Sequence, residues 1–252
     1  MSILPKIDYP IYTIEVPSTR QKVKFRPFLV KEEKLLLMAR ESENTADILT
    51  AVKQIVNNCS IDPNFDVDKL AIFDLELIFI KLRAFSIDNI LKVAYKDFED
   101  EKIYNFEINL LDVKVIFPEK SEKHIKITEK SGLTMKYPPS TLYDDQEFLK
   151  LEKNYLFELI SRCIDSIYYE DQVFDAKNYS KEELSEFLEN LNIKTFDEIQ
   201  TFLLESPKIY HKIEYKNSLD HDRTIEYSSL NDFFMWRWVI AVFKTIITQY
   251  SR

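Results

Sequence analysis

Histidine side chains, which carry much of the acid–base and metal chemistry near neutral pH, occur at three positions: His124, His211 and His221. No two of them have the spacing that would place both as metal ligands on one helix. The triplet 220–222 (Asp-His-Asp) is the most compact cluster of ligand types. Three consecutive residues rarely converge on one ion, and aspartate and histidine are common in turns, so the pattern favours a turn over a metal site.

The sequence also gives little indication of cysteine chemistry. Neither Cys59 nor Cys163 belongs to a C-x-x-C pair that could begin a zinc site. Both fall on the apolar face of a predicted helix, where a thiol behaves as a small hydrophobic side chain and is not activated. The sequence leaves a pairing of Cys163 with His211 open.

Glycine occurs once, at Gly132. Phosphate-binding loops, dinucleotide fingerprints and nucleophile elbows need several glycines at fixed spacings, because only glycine allows the close backbone approach or the strained turn. The 43 acidic residues produce chance pairs, such as Asp144 with Asp145, that carry little information. We therefore expect no enzyme, no cofactor and no metal. The alternative is a small hydrolase or regulatory enzyme that uses His211 or His221 with nearby carboxylates.

The composition sets broad limits on the class of protein. The chain has 252 residues, is 45% hydrophobic and carries a net charge of −9. Its length suffices for a sizeable core in one or two domains, and its negative charge argues against coating nucleic acid or an anionic membrane. The longest apolar run, 233–243, is short and interrupted by Arg237, so no membrane span is expected. Two cysteines and the lack of an export pattern predict a reducing, cytosolic origin.

The N-terminal region shows both strand and helix periodicity. Segments 11–16 and 21–28 predict a β-hairpin, and 31–39 predicts a helix. Segment 45–59 predicts a second, amphipathic helix. The apolar residues on one face of that helix are Ile48, Val52, Ile55, Val56 and Cys59.

A buried helix followed by a hairpin is predicted next. Segment 71–85 is apolar on nearly every side, which is typical of an enclosed helix. Strands at 91–95 and 103–108 then flank a polar tip, and 112–117 predicts a further strand.

A similar unit recurs later in the chain. A helix that begins at Thr195 ends at Pro207, and strands follow at 212–216 and 224–227. Aligning the two units places Tyr95 with Tyr215 and Leu110 with Leu230. The predicted fold class is α+β, with helices packed against short antiparallel β-hairpins. Two related helix–helix–hairpin halves are one arrangement, and two ordinary α+β segments that share a few residues are the alternative.

Segment 119–140 differs in character from its surroundings. It is locally basic and contains Gly132 and two prolines, which predicts a linker or an extended arm. Lys123 and Lys126 on it are candidate contacts for an acidic partner, and the alternative is a loop kept soluble by lysine. The predicted divisions are a hairpin plus helix–hairpin half (1–118), the basic linker (119–140) and a helix-rich half with the second hairpin (141–252).

Helices dominate the predicted second half. Segment 144–165 carries a continuous apolar stripe and predicts one long helix. Two later helices are marked by capping boxes, at 180–183 and 195–198, in which a hydroxyl and a glutamate three residues later satisfy free N–H groups.

The final predicted helix, 231–250, is rich in aromatic residues on several sides. Trp236 and Trp238 are two positions apart, about 200° around a helix, and so point to nearly opposite sides. A helix packed on one face cannot bury both, so it is central to the fold or contacts a partner. The candidate partner contacts on this helix are Phe233, Phe234, Trp236, Arg237 and Trp238.

Segment 23–37 reads Val-Lys-Phe-Arg-Pro-Phe, then acidic residues and a run of leucines. This order resembles the baseplate hub and hub-assembly proteins of T-even-type contractile-tailed phages. Their N-terminal pattern is a strand, a Phe-(Arg/Lys)-Pro-Phe step, an acidic residue and a leucine-rich helix. The resemblance covers nearly the whole chain and continues at 163–167, 179–183, 187–191, 196–207 and 230–234.

The resemblance implies a viral structural or assembly (chaperone-like) role in the baseplate hub and no enzymatic activity. Its implied partners are other hub and tail proteins and not nucleic acid, with the oligomeric state left open. The implied location is the virion tail or, during assembly, the host cytoplasm. Family members often carry paired cysteines in a hairpin, whereas the corresponding tips here, 97–102 and 217–223, contain none. A metal role is therefore not expected for this chain.

Overall fold

The computed structural model describes residues 7–42, 44–119, 122–151 and 155–233. The helices are α1 (Val30–Glu41), α2 (Thr45–Cys59), α3 (Ile72–Ser86), α4 (Tyr155–Cys163), α5 (Lys181–Glu189), α6 (Ile193–Leu204) and α7 (Leu230–Phe233). The strands are β1 (Tyr12–Glu15), β2 (Lys22–Phe25), β3 (Ile90–Lys96), β4 (Ile103–Asn109), β5 (Lys114–Ile116), β6 (His124–Lys126), β7 (Ser131–Met135), β8 (Ile164–Tyr169), β9 (Gln172–Asp175), β10 (Lys208–Lys216) and β11 (Asp222–Tyr227). The predicted α+β class is confirmed.

These elements form two compact units. The first combines the stretches up to Phe65, Phe73–Ile116 and the chain from Lys208 onward. The second combines Asp66–Ile72 with Phe117–Pro207. The division predicted from the sequence, at 118 and 140, stays a prediction.

The first unit begins with the predicted hairpin, β1 paired antiparallel with β2. Val23 and Phe25 alternate with exposed Lys22 and Lys24, and both apolar side chains are fully buried. The predicted amphipathic helix α2 follows α1, and its N-cap Asn44 accepts a hydrogen bond from the N–H of residue 46. The apolar face of α2 is buried at Val52, Ile55, Val56 and Cys59.

A buried ion pair fixes the chain between β2 and α1. Arg26 donates to both carboxylate oxygens of Glu32, at 2.9 and 3.1 Å, and Glu32 is fully buried. Glu32 also accepts from the N–H of Leu29 at 2.9 Å and so closes the first turn of α1. Arg26 further donates to the carbonyl of Asn58 at 2.8 Å. Burial raises the pKa of Glu32, but the hydrogen bonds from Arg26 and Leu29 outweigh it, so the net shift is downward. The Phe-Arg-Pro-Phe segment and its acidic residue therefore have a structural role, because they fix the connection between β2 and α1.

Helix α3 is enclosed, as its apolar sequence predicts. Leu75, Ile78 and Leu82 lie on it without measurable exposure. Its one buried carboxylate, Asp74, accepts from the N–H and the hydroxyl of Ser18 at 2.9 and 2.6 Å, which ties the β1–β2 turn to this helix.

Two hairpins complete the first unit, β3–β4 and β10–β11, both antiparallel. A buried leucine follows each of them, Leu110 and Leu230. The internal repeat that the alignment suggests stays a prediction. Strand β10 also pairs with β5, and Lys208 lies opposite Ile116, so the chain leaves and re-enters this unit on neighbouring strands.

The second unit is a four-stranded antiparallel sheet, in the order β6-β7-β8-β9, packed with α4, α5 and α6. Its core includes Leu133, Ile160, Ile164, Leu188 and Ile199. The single glycine has a packing role here, because a Cβ at Gly132 would lie 2.1 Å from the hydroxyl oxygen of Tyr168 on β8. The tyrosine ring therefore lies across the glycine of the neighbouring strand.

The predicted long helix at 144–165 is wrong. Short 3₁₀ turns occupy 140–144 and 148–150, and among the described residues of this segment the α-helical part is Tyr155–Cys163. Asp145 accepts from the N–H of Phe148 at 2.9 Å and binds Arg162 at 2.5 Å, which closes a turn in place of a helix start. From Ile164 the residues are rich in isoleucine and tyrosine and pair with β7 as a strand.

Two strands lie within the basic stretch 119–140. They are residues 124–126, in which Ile125 is buried between exposed His124 and Lys126, and residues 131–135, in which Leu133 and Met135 are buried. Lys126 therefore lies on the outward face of β6.

One of the two predicted capping boxes is confirmed. The Ser180 hydroxyl accepts from the N–H of Glu183 at 3.2 Å, and Glu183 accepts from the N–H of Ser180 at 2.7 Å. The box at 195–198 is wrong, because α6 begins earlier and Asn192 is its N-cap, accepting from the N–H of Thr195 at 2.9 Å. Among the residues that the structure describes, no helix combines the length and the apolar composition needed to cross a membrane.

Candidate functional site

The tips of the two hairpins in the first unit form a polar region that is joined by several side-chain hydrogen bonds. At the first tip, the N–H of Asp97 donates to the carbonyl of Lys102 at 2.9 Å, and the Asp97 carboxylate accepts from the N–H of Glu99 at 2.8 Å. Glu101 closes the turn in the left-handed region, with φ 57°. Asparagine, aspartate and glycine usually occupy such positions, so the turn is held by its side-chain contacts.

The second tip has a related turn that is one residue shorter. The N–H of Asn217 donates to the carbonyl of His221 at 3.1 Å, and the Asn217 side chain accepts from the N–H of Leu219 at 3.0 Å. Asp220 supplies the left-handed residue, with φ 63°. Asp97 and Asn217 therefore play a similar local role, each accepting from the N–H two residues later.

Asp97 connects the two tips. Its carboxylate is fully buried and accepts from the Tyr215 hydroxyl at 2.6 Å, while Nε of Arg223 lies 3.2 Å away. The Tyr215 hydrogen bond lowers the pKa of Asp97, and Arg223 contributes in the same direction. Burial together with Asp97 raises the pKa of Tyr215 to about 12. At neutral pH the pair is therefore a carboxylate and a neutral phenol.

Glu99 forms a second connection. It accepts from the side-chain amide of Asn217 at 2.6 Å and lies 2.7 Å from Nδ1 of His221. Arg223 is also near, with Nη1 at 3.6 Å from the Glu99 carboxylate. The His221 hydrogen bond is the main reason that the pKa of Glu99 is lowered.

Asp100 completes the network. It accepts from the Tyr104 hydroxyl at 2.5 Å, and from the N–H and hydroxyl of Ser218 at 3.0 and 2.8 Å. Partial burial would raise the pKa of Asp100, but these hydrogen bonds lower it strongly. We use the term tip clasp for the eight residues that join the tips. They are Asp97, Glu99, Asp100, Tyr215, Asn217, Ser218, His221 and Arg223.

An aromatic layer lies under the tip clasp. The Tyr215 ring is 4.9 Å from the ring of Tyr104 and 5.1 Å from that of Phe106, and Tyr95 lies at 6.4 Å. Aromatic pairs at these distances add favourable contacts beyond simple area burial. The two hairpins are therefore joined by a packed layer and, above it, by charge-assisted hydrogen bonds.

The tip clasp also accounts for the histidine of the Asp-His-Asp triplet. His221 is directed at Glu99, and its side chain remains 60% exposed. Across the described ranges, no three His, Cys, Asp or Glu side chains are grouped as a metal site. The arrangement binds one hairpin to another, and its carboxylates are already saturated with donors.

Of the other residues considered for chemistry, the two cysteines are buried, His211 is half-buried and His124 is exposed. Burial raises the pKa of each thiol, Cys59 and Cys163, to about 12. Cys163 lies in the core of the second unit, and His211 lies on β10 of the first. Burial lowers the pKa of His211, with Asp112 opposing the shift. Both thiols are therefore held protonated, in an environment typical of inert core cysteines.

The predicted partner contacts fall in different environments. Phe233 is fully buried, with its ring 5.5 Å from that of Tyr227. The ammonium of Lys123 lies 4.5 Å from the centre of the Tyr137 ring, and Lys126 is exposed on β6 with Glu129 at 2.8 Å. The remaining four lie outside the described residues: Phe234, Trp236, Arg237 and Trp238.

Sequence reasoning did not find the tip clasp. Its partners are 118 residues apart in the chain, and nothing in a single sequence pairs two polar turns at that distance. The feature of the sequence that could have indicated it is the alignment of the two predicted units, which places Asp97 opposite Asn217 at the hairpin tips.

Comparison with known proteins gives one match. A family model described as T4 bacteriophage base plate protein matches residues 9–235, which is nearly the whole chain. Neither the curated proteins nor the solved structures contain a significant match.

Proposed function

The chain belongs to the family of T4 bacteriophage base plate proteins, and from this we propose that it builds the baseplate hub or assists its assembly. It acts by protein–protein binding, as a structural subunit or a chaperone-like assembly factor, and not as an enzyme. Its partners are other hub and tail proteins, and neither nucleic acid nor a cofactor takes part.

The observation that carries this proposal is the family match over residues 9–235. The resemblance to hub and hub-assembly proteins at the Phe-Arg-Pro-Phe step supports the narrower assignment. Arg26 and Glu32 give that step a structural role, which fits a shared fold. The histidine and cysteine environments described above support binding over catalysis.

Membership of this family supports a location in the virion tail, and we propose the host cytoplasm as the site of action before tail completion. A protein made late in infection by a contractile-tailed phage would act first in the cytoplasm and then be found in the tail. The proposed partner contacts are Phe234, Trp236, Arg237, Trp238, Lys123 and Lys126, whereas Phe233 is fully buried and packs against Tyr227. An aromatic centre with a charged rim is typical of a stable protein interface.

The test is genetic complementation of the phage that encodes the chain. A stop codon in the gene is complemented by a plasmid copy, and hub intermediates, base plates and mature particles are purified and analysed by quantitative mass spectrometry. We expect the chain in hub-containing intermediates, and loss of base plates without it. Presence in mature particles assigns a subunit, and presence in intermediates alone assigns an assembly factor. Normal base plates in its absence would contradict both.

A further inference from the structure

Residues 66–72 belong to the second unit, although the chain on both sides of them belongs to the first. We call this segment the strap. Phe65 precedes it, and its ring lies 5.3 Å from that of Phe25 in the first unit. Asp74, in the first turn of α3, accepts from Ser18 of the same unit. The strap is therefore held by contacts of the first unit just before it begins and just after it ends.

Between these two points the strap is hydrogen-bonded to a turn of the second unit. The Ser140 hydroxyl donates to the carbonyl of Val67 at 2.6 Å, and the Ser140 N–H donates to the carbonyl of Leu70 at 2.8 Å. Ser140 is fully buried, and Val67 and Leu70 are buried with it. The N–H of Ile72 donates to the carbonyl of Pro138 at 2.9 Å. Buried hydrogen bonds are costly to leave unmade, so the strap is firmly docked.

The first turn of α3 joins these two sets of contacts. An N–H at the start of a helix has no partner within the helix, and the N–H of Ile72 uses the carbonyl of Pro138. Two residues later, Asp74 is fully buried and accepts from the N–H and the hydroxyl of Ser18 at 2.9 and 2.6 Å. Because a helical turn forms and moves as one piece, displacement of Ile72 also displaces the Asp74 carboxylate.

We propose that the first turn of α3 couples the β1–β2 turn of the first unit to the docked strap of the second. When the strap separates from Ser140, the Asp74 carboxylate moves and the β1–β2 turn opens more often. Coupling free energies are reciprocal, so loosening of the β1–β2 turn also loosens the strap. A protein that binds one of these places therefore stabilises the other as well. This coupling belongs to the chain itself and is independent of the proposed function.

The β1–β2 turn has protected N–H groups on which the coupling can be measured. The N–H of Val16 donates to the carbonyl of Gln21, and that of Arg20 donates to the carbonyl of Val16, both at 2.8 Å. The N–H of Ser18 donates to Asp74. These hydrogens exchange with solvent when the turn opens, so their exchange rate reports the opening.

The first experiment measures hydrogen exchange of the full chain by mass spectrometry in two matched variants. Ser140→Ala removes the bond to Val67, and Ser161→Ala removes another buried serine bond of the second unit, to the carbonyl of Glu158 at 2.9 Å. We expect Ser140→Ala alone to speed exchange in peptides covering 16–21 by about ten-fold, the factor that loss of a buried hydrogen bond typically causes. Unchanged exchange there, or equal acceleration by both variants, would overturn the inference.

The second experiment tests the reverse direction with its own pair of variants. Ser18→Ala removes the hydroxyl bond to Asp74, whereas Thr19→Ala changes the neighbouring exposed residue of the same turn. We expect Ser18→Ala alone to speed exchange in the strap, where the N–H of Ile72 is bonded to Pro138. Equal effects of the two variants, or no effect on the strap, would contradict a reciprocal coupling.

Denaturant unfolding of double variants provides a third test. Substitutions at distant places that share no partner have additive effects on stability. We expect Ser18→Ala with Ser140→Ala to lower the unfolding midpoint by less than the sum of the two single shifts, because the first loss already weakens the second contact. Ser18→Ala with Ser161→Ala is the control pair and should be additive. Additive shifts in both pairs would overturn the coupling.

Discussion

Arg26 and Arg20 each pair with a glutamate, but in different surroundings. The side chain of Arg26 is 15% exposed and that of Glu32 is 0%, whereas Arg20 and Glu15 are 73% and 43% exposed. Arg26→Met leaves a buried carboxylate without its partner, so we expect a loss of about 3–5 kcal/mol in the free energy of unfolding. Arg20→Met should cost less than about 1 kcal/mol. Denaturant unfolding of both variants measures the difference, and equal losses would show that burial of Glu32 does not control the pair.

Gly132 allows a second prediction for a single residue. An added Cβ would lie 2.1 Å from the Tyr168 hydroxyl oxygen and 2.6 Å from the carbonyl oxygen of Ile125. We expect Gly132→Ala to destabilise the protein by about 1–3 kcal/mol, the usual cost of overpacking. In a Tyr168→Ala background the cost should fall but not vanish, because the Ile125 backbone remains close. A double-mutant cycle measures this coupling, and additive losses would exclude a clash with the ring.

The hairpins, as elements, depend on the ionised state of the tip clasp. The folded-state pKa of Asp97 is below its unfolded value of about 3.9, so its contribution to stability is full above that pH and is lost as the pH falls through the folded pKa. Tyr215→Phe removes the main cause of this shift. We expect the variant to melt several degrees below the wild type at pH 7, with the difference shrinking as the pH falls below about 4.

Tyr210→Phe is the matched control for this pH series. The Tyr210 hydroxyl donates to Glu226 at 2.9 Å on the exposed face of the same hairpin. An exposed hydrogen bond contributes little, so this variant should melt close to the wild type at every pH. A Tyr215→Phe difference that stays constant down to pH 2 would show that Asp97 is not the titrating partner.

Elements whose apolar residues follow a single period, either that of a helix or that of a strand, were predictable from the sequence. Helix α2, the β1–β2 hairpin and the enclosed helix α3 fall where the spacing of apolar residues puts them. Strand β8 was missed because its apolar residues continue the stripe of α4, and only pairing with β7 makes Ile164–Tyr169 a strand. Over a segment this short, the helical and strand patterns of apolar residues cannot be distinguished, and pairing with a neighbouring strand decides which structure forms.

The candidate site could be predicted from the sequence less completely than the fold. The sequence identifies both tips as polar turns, but it does not show that Asp97 meets Tyr215 or that Glu99 meets His221. Those contacts depend on how two hairpins pack, which a local pattern does not encode. Burial of a carboxylate such as Asp97 also reverses the usual expectation for a charged turn residue.

At the scale of the whole molecule, the aromatic C-terminal segment remains the clearest sequence-based prediction of a partner contact. Trp236 and Trp238 lie outside the described residues, and their spacing predicts opposite sides of a helix. Trp→Ala at a core position should cost about 3–5 kcal/mol and leave little soluble protein, whereas an interface position should preserve melting and lose the partner. We expect the two single variants to differ. Thermal melting and incorporation into base plates separate these outcomes. If neither variant changed either measurement, this segment would be excluded both as part of the core and as a partner contact.

The pairing of Ile116 with Lys208 has a consequence for synthesis on the ribosome. The second unit is complete once Pro207 has been made, whereas the first still lacks β10, β11 and five of the eight residues of the tip clasp. The nascent chain can therefore finish the second unit first, while β5 lacks its strand partner and the β3–β4 hairpin lacks its contacts with β10 and β11 until residues 208–227 have been made. Long-range strand pairing of this kind is slow and leaves strand edges exposed. The second unit can thus be completed before the first, and β5 is made long before β10, the strand with which it pairs.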